Sequence, residues 1–223
     1  MNRNQQTQIE DVVVAMLVDT IGTDIISGRL APGSDINSVE LASRFGTSRT
    51  PIREALLILD RYGLVSLSAR KRPRVAQVSI GMIEDIYGLR RALHVYVVEA
   101  IVRGASDEEL EQLCQRALIL RDGALDTPLE QQFYRIEEYL DIEHRLGGNS
   151  LVMEVLGTLK WRIGWVRRLA LMSPQQMHEI AEDRVRVACA YKDRDAPLAA
   201  ALNSSMLRRG AEYSKANYLA NYS

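Results

Sequence analysis

Apolar residues fall at helical spacing along most of the chain. Ile9, Val12, Val13, Met16, Leu17, Ile21 and Ile25 predict a first helix that ends before "SGRLAPG", where Gly28, Pro32 and Gly33 break the periodicity. A short helix, "VELASRF", follows, with Asn37 or Ser38 as its cap and Gly46 as a left-handed stop. A third helix opens in "SRTPIREAL". Ser48 or Thr50 caps it, Pro51 sits in the first turn, and Ile52, Ala55, Leu56 and Leu59 form its apolar face. "LVSLS" and "RVAQV" then alternate apolar and polar residues around the basic "ARKRP", the pattern of a hairpin. Two short helices joined by a glycine turn and followed by a hairpin make a winged helix-turn-helix over roughly residues 9 to 78.

From Ser79 onward only helical periodicity remains. Helices are predicted near 80–103, 106–122, 128–146, 150–172, 174–193 and 196–219. "SDEE" at Ser106, "TPLE" at Thr127 and "SPQQ" at Ser173 each fit a capping box. The expected fold is therefore mostly α. A winged helix-turn-helix domain over residues 1–78 precedes an all-helical domain over residues 79–223.

Composition sharpens this picture. At 223 residues and 47% hydrophobic content the chain can bury a substantial core, and its scarcity of aromatics suits helices. A net charge of −1 argues against binding polyanions over the whole surface. From Arg44 to Arg74, however, eight basic residues face only Glu54 and Asp60, so that window is strongly positive. Arg49 and Arg53 lie one turn apart on the polar face of the third helix, at the end that meets base edges in a helix-turn-helix. The run "VVVAMLV" is too short and too closely flanked by acids for a leader or a membrane span. Cys114 and Cys189 read as two reduced thiols, and a cytoplasmic location is expected.

The stretch "IISGRLAPGSDINSVELASRFGTSRTPIREALLILDRYGLVSL" resembles the DNA-binding domain of the GntR family of bacterial transcriptional regulators. "IYGLRRAL" at Ile86–Leu93, "EHRL" with "GN", and "RDAPLAAAL" are similar to the helical effector domain of its FadR-type subfamily, the FCD domain. The resemblance implies a homodimer on a pseudo-palindromic operator, with affinity modulated by a small metabolite. It places Ser48, Arg49, Thr50 and Arg53, with Arg44 beside them, at the DNA. The wing residues Lys71 and Arg72 fall where the family enters the minor groove, although "ARKRP" replaces the family's usual "R-G" tip. Arg90 matches an effector-cavity arginine, which points to an acidic ligand such as a carboxylate. Tyr87, His94, Asp141 and His144 are the further candidates for that pocket.

Many domains of this effector class hold a divalent metal through an aspartate, a histidine four residues later and two more distant histidines. Here His144 fits the first histidine, but Leu140, the Glu182–Asp183 pair and Ser205 stand at the other places. Cofactors are accordingly expected to be none, with Asp141 and His144 the only candidates for a remodelled site. Trp161, Arg162, Trp165 and Arg168 recur at helical spacing and read as packing or dimer interface. Two rival classes remain: a winged module that binds protein, and an enzyme acting on a small molecule in the helical domain. No nucleophile–base pairing or phosphate loop supports the enzyme.

Overall fold

In a computed structural model the described residues are 3–222, with side chains from residue 11 onward. The helices are α1 (Arg3–Ile26), α2 (Ser38–Arg44), α3 (Arg49–Arg61), α4 (Ile80–Gly104), α5 (Asp107–Asp122), α6 (Leu129–Leu146), α7 (Ser150–Ala170), α8 (Pro174–Lys192) and α9 (Ala196–Tyr222). The strands β1 (Val65–Ser66) and β2 (Arg74–Val75) pair antiparallel. Two compact units result. Unit 1 comprises residues 1–79 with residues 158–168 of α7, and unit 2 comprises 80–157 and 169–223.

Unit 1 is organised around the buried faces of α1 and α3. Leu17, Val18, Ile21 and Ile25 meet Ile52, Ala55, Leu56 and Leu59 in its core, and each fully buried Leu or Ile stabilises by about 1.5–3 kcal/mol. The α1 face differs from the sequence expectation. Val14 and Val18 are buried, whereas Val12 and Met16 lie in solvent. Ile9 falls outside the described side chains.

Asn37 caps α2, its side chain accepting from the amides of Val39 and Glu40. Both α2 and α3 stop in the same way. Gly46 and Gly63 adopt positive φ of 61° and 69°, and the following amides, Thr47 and Leu64, donate to Ala42 and Leu59. This is a Schellman closure, which a residue with a Cβ enters only at a cost. The turn between the two helices is thereby fixed at its α2 end, and the far end of α3 is closed in the same manner.

The wing is shorter than its alternating pattern suggests. Leu67 N–H donates to Asp60 Oδ1 at 3.0 Å, which takes it out of the ladder after Ser66. Pro73, lacking an N–H, precedes β2. The segment before α2 flanks β2 on its other side, Val75 N–H donating to Ser34 O and Ile36 N–H to Pro73 O.

The 158–168 segment, expected with the second domain, groups with unit 1 for a visible reason. Trp161 stacks with Tyr62 at 6.5 Å between ring centroids, and Arg162 Nε donates to Tyr62 O at 2.9 Å. Gly22 on α1 leaves the space that the Trp161 ring occupies.

In unit 2, α5 packs on α8, α8 on α9 and α9 on α4. The core runs through Val97, Val98, Ile101, Leu110, Leu113, Ala117, Val187 and Tyr191. Ser106 and Ser173 form complete capping boxes with Glu109 and Gln176. Thr127 does not. Pro128 is the N-cap of α6, and the Thr127 hydroxyl accepts from Arg135 Nη1 at 3.1 Å instead. Cys114 is buried, Cys189 is exposed, and both are free thiols. Among the described residues no helix is long and apolar enough to cross a membrane.

Candidate nucleic-acid interface and effector site

The start of α3 is chemically open. Ser48 is its N-cap in extended conformation, yet its side chain makes no capping bond, and Pro51 has no N–H to offer. Ser48, Arg49, Thr50 and Arg53 are all exposed, while Ile52, Ala55, Leu56 and Leu59 anchor the opposite face. A helix N-terminus presents unpaired amides and a partial positive charge, so two guanidiniums and a hydroxyl here form a surface suited to phosphate and base edges. At the wing, Arg70, Lys71 and Arg72 are likewise exposed, with Arg70 at φ 63°.

Arg44 and Arg74 are committed elsewhere. Arg44 Nη1 lies 2.6 Å from Asp24 Oδ2, and Arg29 Nε is 2.6 Å from Oδ1 of the same carboxylate. Asp24 is only 1% exposed. Burial alone would raise its pKa, but the bonds and charges of Arg44 and Arg29 outweigh it and hold the carboxyl below its ordinary value. Arg44, grouped by sequence with the DNA contacts, is therefore a clamp between α1 and α2. Arg74 is paired with Asp35 at 2.6 Å, tying β2 to the segment before α2.

Unit 2 contains a buried polar cluster built on four helices. α4 contributes Tyr87, Arg90 and His94, α6 contributes Tyr139, Glu143 and His144, α8 contributes Arg184 and Tyr191, and α9 contributes Asn203 and Ser214. Tyr87 and Ser214 share a hydrogen bond of 3.1 Å between their hydroxyls. The Arg90 guanidinium lies 5.2 Å from the centre of the Tyr87 ring, and that of Arg184 lies 4.6 Å from the Tyr139 ring. Tyr191 OH donates to Glu143 Oε1 at 2.9 Å. His94 and His144 meet edge-on with ring centroids 5.4 Å apart.

Electrostatics follow from burial. Burial and then the charges of Arg90, His144 and Arg184 push the His94 pKa well below its usual value, so the imidazole is neutral. Burial pushes the Glu143 carboxyl up, opposed by Arg184, Tyr191 and Arg90. Burial likewise lowers the Arg90 pKa, but a guanidinium starts high enough to keep its charge.

Of the sequence candidates, Tyr87, Arg90, His94 and His144 converge here. Asp141 does not; it is exposed, because residues two places from both Tyr139 and Glu143 point to the other side of α6. Glu143, Arg184, Tyr139, Tyr191 and Asn203 were not anticipated. Their signal was a charged or polar side chain on an otherwise apolar helix stripe, as with Arg184 beside Met177, Ala181, Val185 and Ala188.

Comparison with known proteins matches both halves. Residues 14–75 fit the family described as "Bacterial regulatory proteins, gntR family", and residues 85–209 fit the FCD domain. The chain is 32% identical over 138 residues to the uncharacterized HTH-type transcriptional regulator YdhC of Bacillus subtilis, covering 59% of this chain and 61% of that one. It is 30% identical over 157 residues to the Nta operon transcriptional regulator of Aminobacter aminovorans, covering 69% and 73%. The solved structure of E. coli McbR/YncC superposes with a TM-score of 0.77 at 19% identity, covering 92% of this chain and 98% of that chain, a likeness of fold. With a winged helix-turn-helix that matches one profile and a helical unit that matches the other, the chain belongs to the GntR family of bacterial transcriptional regulators, with an FCD domain at its C-terminal side.

Proposed function

We propose that this DNA-binding transcriptional regulator acts as a homodimeric repressor whose operator affinity is set by a small carboxylate-bearing metabolite. In the DNA complex, α3 enters the major groove with Arg49 and Arg53 on base edges or phosphates. Ser48 and Thr50 meet the backbone, and Lys71 and Arg72 of the wing reach the adjacent minor groove. Two such helices, one per protomer, read the halves of a pseudo-palindrome. In unit 2 the metabolite's carboxylate pairs with Arg90 and Arg184, the two buried cations of the polar cluster. The ligand regulates only by binding one dimer geometry more tightly than another.

The observation that carries this reading is the exposed Arg49–Arg53 pair at an N-terminus whose Ser48 hydroxyl is uncommitted. The test is a mobility shift on the DNA flanking the protein's own gene, with selection from genomic fragments to define the site. Arg49→Ala and Arg53→Ala are each expected to cost about 1–3 kcal/mol where they read a base, or to lower the salt slope by about 1 where they neutralise a phosphate. A doubly substituted, folded protein that selects the same site with unchanged affinity overturns the docking. Complete absence of a salt-sensitive shift favours a protein-binding winged module instead.

A further inference from the structure

Three of the family's four usual metal positions do not carry a free ligand in this chain. Leu140 is a buried hydrocarbon, and Asp183 is engaged by Arg209 at 3.0 Å and Arg186 at 3.5 Å. Ser205 stands where a histidine would be needed. The polar cluster nevertheless brings three other donors together: the ligand atoms of His94, Glu143 and His144 all lie within 4.8 Å of one another. Only His144 coincides with a family position.

We propose that unit 2 binds a divalent transition metal through this relocated set, His94 from α4 with Glu143 and His144 from α6. Two of the three donors are buried without a partner. His94 is 3% exposed and Glu143 1% exposed, and neither ring nitrogen of His94 nor Oε2 of Glu143 has a hydrogen bond among the described residues. A buried polar atom left so carries its full desolvation penalty, which a bound cation removes.

The distance between them is informative. His94 Nδ1 is 4.0 Å from Glu143 Oε2, too far for a hydrogen bond. Two donors that each stand about 2.0–2.2 Å from one cation are about 3.3–3.6 Å apart at a tetrahedral angle, so a small side-chain rotation brings this pair onto a shared ion. The state of the donors agrees. Burial together with Arg90, His144 and Arg184 keeps His94 neutral, the form in which imidazole coordinates. The Tyr191 hydroxyl holds Glu143 Oε1, orienting the carboxylate and leaving Oε2 for the metal. Two imidazoles and one carboxylate suit zinc, nickel, cobalt or iron and leave coordination positions open.

The surrounding charge adds a condition. Arg90 and Arg184 already place two guanidiniums around the single carboxylate of Glu143, so a metal alone leaves an excess of buried positive charge. An anion resolves it. The open metal positions and the guanidiniums together would take a carboxylate, so metal and acid bind cooperatively. This deepens the proposed effector site and rests on it for the acid, whereas the metal ligation stands independently of DNA binding.

The experiment uses the full-length protein, stripped with a chelator and dialysed, with zinc, nickel and cobalt chlorides as probes. Equilibrium dialysis with elemental analysis reads stoichiometry, and the visible absorption of cobalt reads nitrogen and oxygen ligation. One ion per chain is expected, with tighter binding in millimolar malonate. Glu143→Gln, close in shape, and His94→Gln are expected to weaken zinc by more than about a hundredfold, beyond the 10–100-fold typical of outer-shell partners. Asp141→Asn and His178→Gln leave it unchanged. Circular dichroism confirms that each variant is folded. Substoichiometric uptake of all three metals with and without malonate overturns the proposal, as does zinc binding indifferent to Glu143→Gln in folded protein. Site-specific DNA binding that persists in either case leaves the regulator reading intact.

Discussion

Replacing Asp24 by asparagine isolates what holds the reading head in place. The carboxylate is 1% exposed and receives Arg44 Nη1 and Arg29 Nε, each at 2.6 Å. Two charge-assisted bonds set an upper bound of about 6 kcal/mol. Both arginine side chains are half exposed, at 49% and 61%, so they rehydrate once released, and their worth falls toward that of surface pairs, about 1 kcal/mol each. Asparagine also turns an amide N–H₂ toward two donors. The expected loss is about 2 kcal/mol, within the 1–3 kcal/mol range for a disturbed buried polar group. Urea unfolding followed by tryptophan fluorescence suits the question, because Trp161 and Trp165 both belong to unit 1. The pH dependence supplies an internal check. The folded pKa of Asp24 is lowered from 3.8, so its carboxylate stabilises fully above that value and the contribution is lost as pH falls through the lower folded pKa. The gap between wild type and Asp24→Asn should therefore be constant near neutrality and close in acid below about pH 3.8. A midpoint unchanged by the substitution at pH 7, or a gap that persists undiminished in acid, refutes the clamp.

Other perturbations separate folding from recognition. Ser48→Ala removes a hydroxyl that makes no capping bond, so its stability cost should stay below the usual ~1 kcal/mol for a lost cap while operator affinity falls. Urea titration and mobility shift read the two effects, and a loss of stability without loss of affinity contradicts the assignment. Ser106→Ala breaks a complete capping box in unit 2 and should cost about 1 kcal/mol by thermal unfolding with DNA binding by the folded protein unaltered. At Gly63, alanine meets a φ of 69°, and its added Cβ would collide with the Arg162 guanidinium. Left-handed strain of about 1–2 kcal/mol adds to displacement of Arg162 from Tyr62 O, so Gly63→Ala should be clearly destabilising in the same urea assay.

How much of this could be read from the sequence depends on the range of the forces involved. The helix boundaries of unit 2 and the glycine stops of α2 and α3 were legible because capping and left-handed closure are local, decided within a turn of chain. Thr127 shows the limit: the box motif is present, but a side chain eight residues away takes its hydroxyl. The wing was overextended for a similar reason, since alternation cannot reveal that Asp60 removes the Leu67 amide from the ladder. Arg44 looked like its basic neighbours because the carboxylate that binds it is twenty residues upstream.

The polar cluster was half visible for a reason that bears on its use. A charged residue on an apolar stripe can be recognised one helix at a time, and Arg90, Glu143 and Arg184 each carry that mark. Which of them meet is settled only by the crossing of α4, α6 and α8, so sequence spacing nominated Asp141, on the wrong side of its helix, and passed over Glu143 two residues away. Desolvating three charged groups and a histidine in one place is expensive for a small helical unit, and packed hydrocarbon would stabilise it as well or better. A cluster retained against that cost, with His94 and Glu143 still short of partners, is therefore best explained by what it binds. Folding alone gives no reason to bury two guanidiniums around one carboxylate; the proposed recognition of an acid supplies one.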